Sequence, residues 1–250
     1  NCQSKKWAYI CLAYNGGSIT LMGNDYDGKT TYTSAEVYGN PITNVVPGSF
    51  AEVQLYIDIT PVNGVLDLKN KKYTAISNDK TINVNKNITI NGNGAILDAN
   101  NKFRIMNITN GVSTTLNNLN FINGKDTSND GGAIYSQGSS VRVVNSSFTN
   151  TTAEYGGAIY NTAGSLSVTD STFINTKARN NGGAIYSEYG YVTAIESKFR
   201  NCEAQNGSDI YSNSRVTLMS NDFDGKSTYN STEVVGNPII NIVTGSLADV

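Results

Sequence analysis

The chain has 250 residues, 38% of them hydrophobic and 15% charged, which is enough apolar material for a folded body and excludes a disordered tail. Its 18 basic and 20 acidic residues nearly balance and form no long basic run, so nucleic acid and an anionic membrane surface are excluded as expected partners. No apolar stretch approaches the roughly 18 residues that a bilayer-crossing helix needs, and Asn1 has no signal-like segment behind it, so the sequence reads as a mature or an excised fragment, with no direct membrane insertion expected of this segment.

Asn supplies 35 residues, His is absent and Cys numbers three. Amides, Thr and Tyr at low charge suit many short strands and tight turns better than helices. Three cysteines cannot pair completely, so no disulfide framework is expected, although Cys2 and Cys11 could bridge locally.

In chain order, the first segment is itself a repeat. Residues 19–53 reappear at 216–250, an offset of 197, with 23 of 35 positions identical, and Asn1-Cys2-Gln3 echoes Asn201-Cys202-Glu203. Residues 1–45 are therefore read as the last coil and linker of a preceding module, 46–225 as one module, and 226–250 as a linker and the truncated start of the next. The module opens on Ser49-Phe50-Ala51-Glu52, a capping box, followed by Val53, Tyr56 and Ile57 at helical spacing up to Pro61. This predicts a short capping helix near 49–58 that lids the first coil, and Ser246 to Asp249 repeat the signal.

Next comes a shorter period. GGAIYS at 131–136, GGAIYN at 156–161, GGAIYS at 182–187 and GSDIYS at 207–212 each follow a Phe-x-Asn triplet beginning at Phe121, Phe148, Phe173 or Phe199. The positions of these Phe set a period of roughly 26 residues. Seven and five residues before each Phe stand Thr114 and Leu116, Val141 and Val143, Leu166 and Val168, or Val192 and Ala194, the alternation of a strand. Ile88 with Ile90, and Val216 with Leu218 and Phe223, extend the columns, with Leu66 and Leu68 as a further start. A unit this short cannot bury its apolar face alone and must stack on its neighbours. The expected fold is all-β, a right-handed parallel β-helix (solenoid) with coils of about 25 residues.

Stacking puts like over like. Phe121, Phe148, Phe173 and Phe199 form an inward column, and Asn123, Asn150, Asn175 and Asn201 an enclosed ladder of amide bonds at a left-handed bend. Gly124, Thr151, Thr176 and Cys202 follow as small packed side chains, so Cys202 is a filler rather than a reactive thiol. The Gly pairs make the other corner.

These motifs carry a family likeness. The GGAI-type strand alternating with Phe-x-Asn resembles the repeats of polymorphic outer-membrane proteins of intracellular bacteria. The run Asn85-Lys86-Asn87-Ile88-Thr89-Ile90-Asn91-Gly92-Asn93-Gly94, then Phe103 to Thr109, then Phe121-Ile122-Asn123-Gly124, looks still more like the adhesin-like surface proteins of methanogenic archaea. The resemblance covers about residues 49–225 and implies secretion, cell-surface display and adhesion, with neighbouring modules and the glycans or surface proteins of other cells as partners.

The alternative is a polysaccharide-binding or polysaccharide-cleaving β-helix. Cleavage needs convergent carboxylates on one exposed sheet. Asp170 and Glu196 share a column, but at a strand end, where an outward solvated turn is the simpler reading, and no second acidic column stands beside it. The chain is therefore read as a non-enzyme without cofactor or metal. Asp25-Tyr26-Asp27-Gly28 and Asp222-Phe223-Asp224-Gly225 open like calcium loops but lack the remaining ligands. The six Asn-x-Ser/Thr sequons, at Asn87, Asn107, Asn145, Asn150, Asn206 and Asn230, match chance in so Asn-rich a chain.

Tyr135, Tyr160, Tyr186 and Tyr211 are the residues that packing explains least. Ile and Tyr of GGAIYS face opposite ways, and Asp209 in the Ala slot argues for an outward Ala/Tyr side. An outward Tyr stripe could stack on sugar rings or an aromatic partner; the plainer reading is that the rings stack on one another.

Overall fold

The computed structural model describes residues 10–11, 19–22, 37–38, 42–109 and 111–242. It is a parallel β-solenoid of about seven turns. One coil shows how the sequence makes it. Strand Ser140–Val144 ends at Asn145, strand Ser147–Thr149 ends at Asn150, and the short strand Thr152–Ala153 leads to the Gly pair and strand Ile159–Thr162. Asn145, Asn150 and Ala163 hold φ of 47°, 55° and 53°, single left-handed residues that turn the chain between strands. Asn tolerates that conformation because its short polar side chain bonds locally.

The register is like over like. Phe121, Phe148, Phe173 and Phe199 pair in succession, and Phe199 pairs with Phe223. Their rings stack inside at 4.8, 4.8, 5.0 and 5.3 Å, all nearly parallel. Thr114, Val141, Leu166, Val192 and Val216 form the inward column of the first sheet, as the alternation predicts. Each buried ring in such a column contributes roughly 1.5–3 kcal/mol by leaving water. One column starts differently from expectation: Leu66 lies beside Ile90 and Gly64 beside Ile88, because this coil is longer than an alignment of Leu66 with Ile88 would make it.

The Gly pair is dictated by clearance. Gly131, Gly156, Gly182 and Gly207 have φ between 57° and 69°. A Cβ on Gly132 would stand 2.4 Å from the carbonyl oxygen of Gly157 in the next coil, closer than any side chain tolerates.

Helix α1 spans Phe50–Ile59 and seals the first coil with Phe50, Val53 and Ile57. The capping box forms only in part. Ser49 makes no side-chain cap, and Glu52 accepts from the N–H of Gly48 instead of Ser49. The cap comes from Asp79 in the following coil, whose two oxygens accept the N–H groups of Phe50 and Ala51 at 3.1 Å each.

The solenoid also extends past residue 225, where a linker was expected. Val234–Val235 pairs with the strand Ile210–Ser212, and Ile239–Ile242 pairs with Val216–Met219. Near the other end, Ile10–Cys11 pairs with Val37–Tyr38, and Ile19–Met22 with Ile42–Val45. Cys2, Asp25, Asp27 and Ser246 to Asp249 lie outside the described residues, and with them the Cys2–Cys11 bridge and the second capping signal.

Candidate functional site

The asparagines come together, but outside. Asn150, Asn175 and Asn201 are exposed, and their amides are joined by bonds of 3.2 and 3.3 Å, while Asn123 donates to Asp98 at 2.9 Å. The expectation of an enclosed ladder is corrected: a left-handed corner residue projects its side chain into solvent, and its backbone N–H does the inter-coil bonding. The buried polar ladder is one the periodic reading missed. Ser146, Ser171, Ser197 and Asn221, two residues before each Phe, are buried, and each accepts the N–H of its counterpart one coil earlier: Ser171 from Ser146 at 3.2 Å, Ser197 from Ser171 at 3.2 Å and Asn221 from Ser197 at 3.0 Å. The recurring Ser in NSSF, DSTF and ESKF was the available signal.

Cys202 is a buried filler, and burial pushes its thiol up to about 12, with Asp209 adding to the shift. Asp170 and Glu196 stand exposed at left-handed turn positions, φ 50° each, beside Asn145, Thr172 and Lys198. Asp222 pairs with Arg200 and accepts from Gly225 N–H at 2.7 Å, and Asp224 accepts from Asn201 N–H at 3.0 Å, so both carboxylates are engaged in the turn. Among the described residues no group of three or more acidic, Cys or His side chains is placed to hold a metal ion.

Tyr135, Tyr160, Tyr186 and Tyr211 form one column on the outer side of their strands, with Ile134, Ile159, Ile185 and Ile210 fully buried on the inner side. The Asp209 argument for this orientation fails, since Ala133, Ala158, Ala184 and Asp209 are themselves buried. The Ala sits at the corner rather than in the alternation: the N–H groups of Ala133 and Ile134 both reach the carbonyl of Ala158. The rings stack at 5.3, 5.2 and 5.3 Å, so each covers its neighbour's face. The Arg104 guanidinium lies 5.0 Å from the ring centroid of Tyr135 at one end, and Val235 pairs beyond Tyr211 at the other. Tyr160 is only 7% exposed, and its hydroxyl donates to Glu188 at 2.7 Å; burial first, then that carboxylate, raise its pKa. The plainer reading of self-stacking rings is what the geometry shows. The half-buried Tyr135, Tyr186 and Tyr211 offer edges and hydroxyls to a partner, not open faces.

Open rings stand at the adjoining corner. Tyr189 and Tyr191 are 73% and 55% exposed, with Arg215 4.9 Å from the Tyr191 ring centroid. They escaped the periodic reading because their column-mates are Ala163, Ser165 and Arg215, not aromatic; the loop string EYGY is the signal that marks them. Arg104 is fixed beneath the column by Asn107 at 2.8 Å, by the Gly131 carbonyl at 2.9 Å and by Asp126 at 3.1 Å. The assembled face is a rigid strip of aromatic edges, two open rings and flanking charges. It suits weak, repeated contact with a polar or sugar-coated surface.

No family model, no curated protein and no solved structure matches the chain.

Proposed function

We propose that the chain is a module of a cell-surface, extracellular adhesin-like repeat protein, serving as a rigid stalk that presents an adhesive face to glycans or proteins of another surface. The observation that carries this is the outward Tyr column with the open Tyr189 and Tyr191 beside it: one polar-tipped aromatic repeated on consecutive coils of a rod. The duplication of 19–53 at 216–250 supports it, since tandem units multiply reach and contact. So does the resemblance of the coil motifs to archaeal adhesin-like proteins.

Two variants test the face without dismantling the rod. Tyr189→Ser with Tyr191→Ser removes the open rings, and Tyr135→Phe with Tyr186→Phe and Tyr211→Phe removes hydroxyls while keeping every stacked ring. Beads coated with the protein are scored for attachment to cells and to a glycan array. The expected outcome is attachment by the parent chain, at least tenfold lower in one or both variants with unchanged melting midpoints. Undiminished attachment in both would move the adhesive surface elsewhere on the coil.

A further inference from the structure

We infer that α1 is an internal joint that carries the solenoid from one module into the next, and that the coil ending at Ile242 is built to receive the α1 of a following unit of the same kind. This rests on the tandem reading above and is independent of adhesion.

The same coil occurs twice. Ile19–Met22 pairs with Ile42–Val45, and in the duplicated segment Val216–Met219 pairs with Ile239–Ile242 in the same register. Val37–Tyr38 pairs with Ile10–Cys11, and its duplicate Val234–Val235 pairs with Ile210 and Tyr211. After the first copy, Val46 to Ser49 lead directly into α1.

The helix touches the coils on both of its sides. Phe50, Val53 and Ile57 enter the core of the coils that succeed it. Ala51, Gln54, Leu55 and Asp58, with Phe50, line a cavity of about 390 Å³ whose walls come from both sides of the helix: Thr81 and Asn83 of the following coil, where Asn83 N–H donates to Gln54 at 2.7 Å, and Thr20 and Val45 of the preceding coil. A terminal lid would lack the Thr20 and Val45 wall.

Burial distinguishes the two copies of the coil. Val45, next to α1, is 4% exposed, whereas its counterpart Ile242 is only half-buried, as is Ile239, which continues the fully buried inward column above Val216. The duplicated sequence names the occupant: Leu247 and Val250 stand where Phe50 and Val53 stand in the first copy. The last described coil, with Ile239 and Ile242 short of full burial, therefore fits a second α1 as the interlayer between one module and the next.

The test is a two-module chain made by placing a second copy of residues 54–250 after Val250. A joint predicts one cooperative thermal transition, several degrees above that of the 250-residue chain. It also predicts a rod that lengthens by roughly 40 Å at unchanged cross-section in small-angle X-ray scattering, from coils about 4.8 Å apart plus a helix layer near 10 Å thick. Two transitions at the single-module midpoint, or scattering from two bodies on a flexible link, would overturn it. Leu55→Arg in the unfused chain reads the same joint. Leu55 is outside the core, so a lid facing water predicts an unchanged midpoint, while a joint predicts a lower midpoint and faster protease cleavage within 42–49. Loss or persistence of attachment in the tyrosine variants leaves these results unaffected, so the two readings fail separately.

Discussion

Asp209 shows what a single departure costs a like-over-like stack. Its column is Ala133, Ala158 and Ala184, and at 2% exposure the carboxyl is as enclosed as a methyl group. Burial pushes its pKa up to about 7; the Cys202 thiol that donates to it and Arg200 pull it down, while Asp224 and Glu233 push it further up. The unfolded chain gives up this proton near the ordinary carboxylate value of 3.8, the folded chain only near 7. Stability is thus unaffected by the group below about pH 4 and falls as pH rises to about 7, by on the order of 4 kcal/mol. Asp209→Ala restores the column. Urea denaturation should find the variant more stable by a few kcal/mol at pH 8, with the difference shrinking toward pH 4. Equal stability of the two proteins at pH 8 would mean that the charge reaches water.

Among elements, α1 depends on a partner that sequence proximity hides. The local signal, Ser49 with Glu52, placed the helix correctly, yet the Ser49 hydroxyl is buried without a hydrogen bond. Asp79, 29 residues after Phe50, accepts two of the four orphan N–H groups of the first turn and also the N–H of Ile76 at 2.9 Å. Glu52 is held in place by Lys71 at 2.7 Å and the Tyr56 hydroxyl at 2.7 Å. Burial alone would raise its pKa, but Lys71, the Gly48 N–H and Tyr56 together hold it below the usual carboxylate value. Asp79→Ala should therefore cost about 1–2 kcal/mol, and Ser49→Ala less than about 0.5 kcal/mol. Thermal melts of the two variants check the assignment; the reverse ranking would return the cap to Ser49.

At the scale of the molecule, the fold was legible because a solenoid writes each contact into the sequence as a period: Phe148 meets Phe173 since both occupy the same slot of their coils. Direction was less legible than position. The period alone does not say that Asn150 points outward and Ser146 inward, because both flank a strand and only the left-handed turn at Asn145 and Asn150 decides it. Non-periodic features were the least visible: Asp79 and the open Tyr189 and Tyr191 have no like residue in their columns, while Asp209 stood out in its Ala column but its burial did not. The tyrosine column lay between, found by its repeat but with its ring faces spent on one another.

Function built on such a strip must come from number, since one aromatic edge on a flat sheet contributes only weak attraction whereas linked copies raise effective concentration. Attachment strength as a function of module number tests this most directly. Single-module and two-module chains are immobilised at equal module density, and their apparent affinity for the same cell or glycan surface is measured. Adhesion by repetition predicts a rise of about a hundredfold or more from one module to two. An affinity that merely doubles, or stays level, would contradict it and place binding in a single site that the array does not multiply.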